Sequence, residues 1–151
     1  MLRNVLSESL KEAMRAKDKC ATATLRLVLA ALKDRDIAAR ADGKKTEVDD
    51  TEVLSMLETM VKQRRESIKM YEQGERPELA EQEQDEIEII ERFLPKQLND
   101  SEVEAAVGAA IDAAGADSLK QMGKVMAALR ERYAGQMDFG KAGAIAKQRL
   151  S

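Results

Sequence analysis

The sequence has 151 residues, the length of a single domain or of one domain with a small second part. Hydrophobic residues make up 44% and charged residues 35%, so we expect a buried core beneath a highly charged surface. Aromatic residues account for only 3%, and helix-forming residue types dominate, which excludes all-β folds and alternating β-α folds. The net charge is −3, divided into −7 over residues 1–114 and +4 over residues 115–151. This asymmetry indicates that the C-terminal segment is the part suited to an anionic partner.

The chain contains no histidine, which excludes Ser-His-Asp and Cys-His catalysis and removes the commonest transition-metal ligand. Its single cysteine, Cys20, cannot form an internal disulfide or a zinc site, and a lone thiol fits a reducing compartment. We expect Cys20 to be a small, partly buried residue. The N-terminal sequence predicts no signal peptide, and no apolar run approaches the roughly 20 residues that span a bilayer. We therefore expect a cytoplasmic protein that contacts no membrane and carries no metal ion or cofactor.

Hydrophobic periodicity predicts a four-helix domain over residues 1–95. The expected helices cover about residues 2–17, 19–40, 49–71 and 77–94. A polar turn over 41–45 separates the second helix from the third, and Asp49 is expected to cap the third together with Glu52. Gly74 is predicted to end the third helix in the left-handed conformation. The expected core stripes include Leu6, Leu10 and Met14; Leu25, Val28, Leu29, Leu32 and Ile37; Val53, Leu57, Met60, Val61 and Ile68; and Leu79, Ile87, Ile90 and Leu94.

A second domain of three shorter helices is predicted over residues 96–151, after a hinge at 95–100. The expected helices cover about residues 101–114, 118–133 and 138–150. Capping boxes are read at Ser101 with Glu104 and at Ser118 with Gln121, and Asp138 is expected to cap the last helix. A domain this small is only marginally stable by itself, so we expect it to pack against a partner or against the first domain.

The C-terminal segment carries the candidate nucleic-acid contacts, because its cations outnumber its acids and phosphates bind such clusters in a salt-dependent way. The candidates are Lys120, Lys124, Arg130, Lys141 and Lys147. Few aromatic residues lie among them, so contact with a duplex or a backbone is favoured over base stacking. Gly123, inside a predicted helix, indicates that another backbone comes close. An ordinary soluble helical tail remains the alternative.

Two further sets of cations are candidate anion or partner sites. Arg26 and Lys33 are seven residues apart and share one face of the second helix. Arg64, followed by Arg65, lies on or beside the buried stripe of the third helix. It either ties helices together through acids such as Glu58 or Glu86, or it grips a phosphate or carboxylate. The acidic face Glu81, Glu83, Asp85, Glu86 and Glu88 is read as solvated, with a metal-binding carboxylate cluster as the weaker alternative.

Four stretches of the sequence together resemble the YqeY family, whose members are also described as GatB/YqeY-domain proteins. They are LRLVLAALK (Leu25–Lys33), VKQRRESI (Val61–Ile68), FLPKQL (Phe93–Leu98) and MGKVMAAL (Met122–Leu129). The resemblance runs over essentially the whole chain. It implies an all-α protein with an N-terminal four-helix part and a C-terminal three-helix part.

The C-terminal part is similar to the tail domain of the B subunit of the glutamine-dependent aminoacyl-tRNA amidotransferase, a carbon–nitrogen ligase. That enzyme amidates Glu-tRNA(Gln) or Asp-tRNA(Asn), and its tail helps to engage the tRNA. The resemblance thus implies tRNA contacts for the five candidate cations of the C-terminal segment and a packing role for Gly123. The kinase site of that enzyme and the Ser-Ser-Lys amidase signature of its partner subunit are absent from this sequence. We therefore expect no ligase activity from this chain alone.

Three functions compete at this point. The first is a non-catalytic tRNA-binding protein that accompanies the amidotransferase or another translation protein. The second is an interaction adaptor that uses the face formed by Leu119, Met122 and Met126, and it predicts sensitivity to Met126→Glu. The third is an enzyme whose cleft holds Arg64 and Arg65. The oligomeric state is not predicted.

Overall fold

The computed structural model describes residues 1–43 and 47–151, so Lys44 and Lys45 of the predicted polar turn lie outside the described residues. All regular elements in these ranges are helical, which confirms the all-α prediction. The helices are α1 (Leu2–Arg15), α2 (Lys19–Ala41), α3 (Asp50–Gln73), α4 (Pro77–Glu91), α5 (Asp100–Ala114), α6 (Met122–Arg132) and α7 (Phe139–Leu150), with a 3₁₀ turn at Leu119–Gln121 before α6. None of the described helices is long and apolar enough to cross a membrane.

Two compact units divide the chain at Met1–Leu94 and Pro95–Ser151, one residue before the predicted boundary. In the first unit, α3 and α4 form one hairpin, α1 and α2 form another, and α2 packs on α4. Amphipathic stripes bury a common core, which includes the fully enclosed residues Leu6, Val28, Val53, Leu57 and Ile90. The helices of this unit therefore follow the predicted pattern.

Two of the predicted core residues of this unit lie at the surface instead. Met14 and Ile37 are each about half exposed, at 49% and 52%. Ile37 follows the fully buried Val28 by nine residues, which is two and a half helical turns and places it on the opposite side of α2. Conversely, Ile89 was not predicted to be buried, although it is only 6% exposed.

A buried carboxylate, Asp36 of α2, ties the N-terminal end of α1 to the segment that precedes α3. The Arg3 guanidinium donates two hydrogen bonds to it, at 2.8 and 3.0 Å, and the Val48 N–H donates a third at 3.0 Å. Arg3 also donates to the Val48 carbonyl oxygen at 3.1 Å. The hydrogen bond from Arg3, opposed by burial and helped by the Val48 N–H, lowers the pKa of Asp36.

Helix ends of the first unit confirm one predicted cap and correct another. The Asp49 side chain accepts a hydrogen bond from the Glu52 N–H at 3.0 Å, as predicted. Gly74, in contrast, has a φ of −86°, and the left-handed residue after α3 is Glu75, with a φ of 57°. The Arg76 N–H reaches back to the Tyr71 carbonyl oxygen at 2.8 Å, so the terminating turn sits one residue later than predicted.

Glu75→Gly is expected to stabilise the first unit by about 1 kcal/mol, because glycine relieves the steric strain of the left-handed conformation. Urea unfolding followed by circular dichroism measures the change. The matched control is Glu72→Gly, the same substitution inside α3, which is expected to destabilise the unit by about 1 kcal/mol. Equal destabilisation by both variants would show that no strain is stored at residue 75.

The second unit is a three-helix bundle of α5, α6 and α7 with its own core, in which Val107, Val125 and Ala146 are fully enclosed. The α5 capping box is formed by Asn99 and Glu102, so the prediction of Ser101 with Glu104 is wrong by two residues. The Asn99 side chain accepts from the Glu102 N–H at 2.8 Å, and the Glu102 carboxylate accepts from the Asn99 N–H at 3.1 Å.

The other predicted caps of this unit are present. The Gln121 side chain accepts from the Ser118 N–H, and Asp138 accepts from the Gly140 N–H at 2.9 Å. Gly115 ends α5 with a φ of 62°, in the left-handed region. The unit therefore has well-defined helix ends on either side of the candidate cations.

Candidate nucleic-acid interface

Contacts between α6 and α7 fix how the candidate cations are arranged in the second unit. The Arg130 guanidinium lies 5.9 Å from the centre of the Phe139 ring, so the C-terminal end of α6 lies beside the N-terminal end of α7. The methyl groups of Met122 and Met126 lie against Gly143, further along α7. The two helices are thus antiparallel. The start of α6 therefore lies at the same end of the pair as the end of α7.

Three of the five predicted cations belong to that shared end. Lys120 and Lys124 are four residues apart, and both are exposed on the outer side of the 3₁₀ turn and α6. Lys147, in the second half of α7, is also exposed. Among the residues that the structure describes, none of these three lysines pairs with an acid. Their charge is therefore available to an external anion.

The other two predicted cations already have contacts within the unit. Lys141 pairs with Asp100 at the start of α5, and this carboxylate raises the pKa of Lys141. Arg130 stacks on Phe139 as described above. Lys141 must release Asp100 before it can bind a phosphate, so its expected contribution is smaller than that of the three unpaired lysines.

Gly123 does not allow an internal close approach, contrary to the prediction. No atom lies within 4 Å of the position that a Cβ would occupy at this residue. Gly123 lies between Lys120 of the 3₁₀ turn and Lys124 of α6, and Ala127 lies beyond Lys124. Both small residues are exposed, so the surface there is low and open. The space that glycine leaves is on the outside of the unit, where an external backbone could approach.

The apolar face proposed for an adaptor is only partly exposed. Met126 is a core residue at 7% exposure, Met122 is half-buried, and Leu119 is 46% exposed. The prediction that Met126→Glu reports on partner binding is therefore wrong, because a buried carboxylate perturbs the fold itself.

Arg64 and Arg65 contact acids across the α3–α4 hairpin. The Arg64 Nε lies 3.6 Å from Glu86 and 4.0 Å from Glu83, and an Arg64 Nη donates to the Met60 carbonyl oxygen at 3.2 Å. Arg65 donates to Glu91 at 2.8 Å. These contacts confirm the expectation that Arg64 ties helices together, and they leave little of its charge for an outside anion.

Acidic residues of α4 surround Arg64, and none of the described acids forms a group that could hold a metal ion. Burial, together with the neighbouring Glu86, raises the pKa of Glu83, and Arg64 opposes this rise. Both carboxylates are largely buried beside the guanidinium. The arrangement is that of a structural ion-pair cluster.

The remaining candidates lie on the first unit's surface. Arg26 and Lys33 are exposed on α2, and an Nη of Arg26 lies 4.0 Å from the sulfur of Met14. Cys20 is exposed, so its predicted partial burial is wrong. A cleft of about 380 Å³ opens between α1, α2 and α4, and its lining includes Leu25, Ile89, Arg92 and Phe93. It brings together no set of groups with evident catalytic chemistry.

Comparison with known proteins assigns the family. The family profile described as Yqey-like protein matches residues 3–150, which is nearly the whole chain. The chain belongs to the YqeY family. The matched region includes both units and all of the candidate cations, so the YqeY assignment does not rest on one motif.

Curated relatives of this YqeY-family chain are fungal proteins named "Altered inheritance of mitochondria protein 41, mitochondrial". The relative from Vanderwaltozyma polyspora is 33% identical over 89 residues, which are 59% of this chain and 46% of that protein. The Kluyveromyces lactis relative is 33% identical over 88 residues, 58% of this chain and 45% of that protein. The Lachancea thermotolerans relative is 33% identical over 104 residues, covering 68% and 54%. The chain thus spans about half the length of the relatives it matches.

Proposed function

We propose that this YqeY-family protein is a non-catalytic tRNA-binding accessory protein, whose second unit binds the phosphate backbone of tRNA through Lys120, Lys124 and Lys147. The observation that carries the proposal is the exposure of these three lysines at one end of the α6–α7 pair, with no acidic partner in the described part of the chain. Lys141 and Arg130 extend the same basic surface toward the other end of the pair.

Backbone contact is favoured over base recognition for two reasons. Lysine binds phosphate as a point charge and releases condensed counterions, which drives sequence-independent association. The two aromatic rings near the cations are already engaged, because Arg130 lies over Phe139 and Arg132 lies 5.6 Å from the centre of the Tyr133 ring. The open surface at Gly123 lets a sugar-phosphate strand pass close to the helix.

The resemblance to the amidotransferase tail suggests which RNA process the protein serves. In this account the chain accompanies a glutamine-dependent tRNA amidotransferase or another translation protein, and the chemistry belongs to that partner. We place it in the compartment where its tRNA is charged. A cytoplasmic location stays a prediction, and the fungal relatives carry the word "mitochondrial" in their names.

An adaptor role for the second unit is the alternative function, favoured by the exposed Leu119 beside the half-buried Met122. It differs from the first proposal in its salt dependence. Apolar docking on Leu119 tolerates salt, whereas phosphate binding through lysines weakens as salt rises.

The triple variant Lys120→Ala, Lys124→Ala and Lys147→Ala is expected to weaken binding of total tRNA by about a hundredfold at roughly 0.1 M salt, because each lost phosphate contact removes about one released counterion. Fluorescence anisotropy with labelled tRNA measures the affinity of the full-length protein. The three substitutions lie on exposed positions, so the unfolding curve should not change.

The matched control removes three exposed lysines of the first unit, Lys11, Lys19 and Lys69. It changes the net charge by the same amount and is expected to alter tRNA affinity by less than about threefold, through long-range attraction alone. Equal losses in the two triple variants would contradict a localised site. Undiminished tRNA binding by the first triple variant would exclude these lysines as the contacts.

A further inference from the structure

One exposed face of α2 repeats apolar residues at the spacing of a coiled-coil seam. Six exposed positions follow one another at intervals of 4, 3, 4, 3 and 4 residues: Ala23, Leu27, Ala30, Asp34, Ile37 and Ala41. Five of the six are apolar. The seam runs for about 27 Å along the helix, since each residue advances the axis by about 1.5 Å.

This seam is separate from the face that α2 buries in its own unit. Val28 and Leu32 point into the core, whereas Leu27 and Ile37 remain 50% and 52% exposed. A single exposed leucine needs no explanation, but a regular heptad pattern along a second face is the arrangement with which one helix packs against another.

A row of cations borders the seam on one side. Arg26, Lys33 and Arg40 follow one another at intervals of seven residues, and each directly precedes a seam position. Arg40 acts on Asp36, whose pKa it helps to lower. Arg26 and Lys33 pair with no acid of the described chain. This row therefore carries net positive charge. It flanks the seam at positions where charged residues of a coiled coil form ion pairs with the partner helix and so determine which partner binds.

A second copy of the same helix fits this seam poorly. In an antiparallel pair, the basic rows of the two copies would face each other, with Lys33 opposite Lys33 and Arg26 opposite Arg40. In a parallel pair, the two Asp34 carboxylates would meet inside the seam. Both arrangements bring like charges together, which destabilises association.

We propose that the exposed face of α2 is a docking site for an amphipathic helix of another protein, which presents an apolar stripe to Leu27 and Ile37 and a row of carboxylates to Arg26 and Lys33. A cation or amide on the partner faces Asp34 and fixes the register of the two helices. This surface lies in the first unit and does not depend on the tRNA contacts proposed for the second.

Two synthetic helices of about three heptads test the proposal by fluorescence anisotropy with the full-length protein. The acidic peptide carries leucines at seam spacing, one lysine at the position facing Asp34, and glutamates on both borders. The basic peptide has the charges exchanged. We expect the protein to bind the acidic peptide at least about tenfold more tightly than the basic one, through two new ion pairs on an apolar seam.

The double variant Arg26→Glu and Lys33→Glu is expected to reverse this preference, and Leu27→Ser with Ile37→Ser is expected to abolish binding of both peptides. All four side chains are exposed, so the unfolding curves should stay close to that of the original protein. The control Lys69→Glu with Lys96→Glu, two exposed lysines that lie off α2, changes the net charge equally and keeps the original preference. The lysine-to-alanine triple variant of the second unit also keeps it, which separates this surface from the tRNA contacts.

Two results would overturn the proposal. One is that the protein binds neither peptide, or binds both equally. The other is a dimer in size-exclusion chromatography with light scattering that Leu27→Ser with Ile37→Ser converts to monomer, because the seam would then be occupied by a second copy.

Discussion

Asp36→Asn is expected to lower the free energy of unfolding of the first unit by about 3 kcal/mol, because it leaves the half-buried Arg3 guanidinium with only the exposed Glu47, 3.6 Å from its Nε, as a counter-charge. Arg3 donates to both oxygens of Asp36, and the Val48 N–H donates to one of them. The amide of asparagine offers one acceptor oxygen in place of two and turns a donor toward Arg3. Urea unfolding by circular dichroism measures the loss.

The Arg3–Asp36 pair is also expected to make the stability of the first unit depend on pH. The pKa of Asp36 is lowered in the folded state from its ordinary value of 3.8. Folding therefore favours the ionised carboxylate, and this contribution is complete above pH 3.8 and is lost as pH falls through the lower, folded-state pKa. The Asp36→Asn variant lacks the contribution at every pH. Its stability difference from the original protein should therefore shrink toward strong acid.

Asp34→Asn is the matched control for this prediction. It removes the same charge from the same helix at an exposed position, and its expected effect is within about 0.5 kcal/mol. If Asp36→Asn were as mild as this control, the Arg3–Asp36 pair would not be what fixes α1 against the segment before α3.

Met126→Glu is expected to unfold the second unit and to leave the first unit folded. Met126 packs against Gly143 within the core of the second unit, and a carboxylate buried there without a partner costs about 3 kcal/mol or more. A unit as small as Pro95–Ser151 has only about 3–5 kcal/mol of stability to lose. Limited proteolysis with mass spectrometry should show cuts confined to residues after 94, beside a protected first unit.

Ala127→Glu is the control, because it adds the same charge at the next residue, which is exposed. The protein should keep both protected units. If Met126→Glu were also protected, Met126 would be accessible after all, and the adaptor role of that face would regain its support.

Local sequence signals predicted the helices of this protein well. Asp49, Asp138 and Gln121 act at their helix ends as predicted, because capping depends on residues within one turn. The misplaced cap before α5 has a local cause too, since both Asn99 and Ser101 are good capping residues three positions before a glutamate. Periodicity alone could not choose between them.

The sequence could not predict which charged residues pair when they lie far apart along the chain. Asp100 lies 41 residues before its partner Lys141, and Arg3 lies 33 residues before Asp36, so only the packed helices bring these charges together. For the same reason the tail cations could be named from the sequence, while their division into paired and unpaired residues could not. Ile37 was assigned to the core because apolar residues occur on two sides of α2, and only one side is covered.

The salt dependence of tRNA binding is the sharpest test of phosphate contact by Lys120, Lys124 and Lys147. With full-length protein, the logarithm of the association constant plotted against the logarithm of the salt concentration should fall with a slope of about −2.7 to −4.5, as expected for three to five phosphate contacts. In the Lys120→Ala, Lys124→Ala and Lys147→Ala variant, the slope should become shallower by about 3. A flat slope for the original protein, or the same slope for both proteins, would contradict phosphate binding by the second unit.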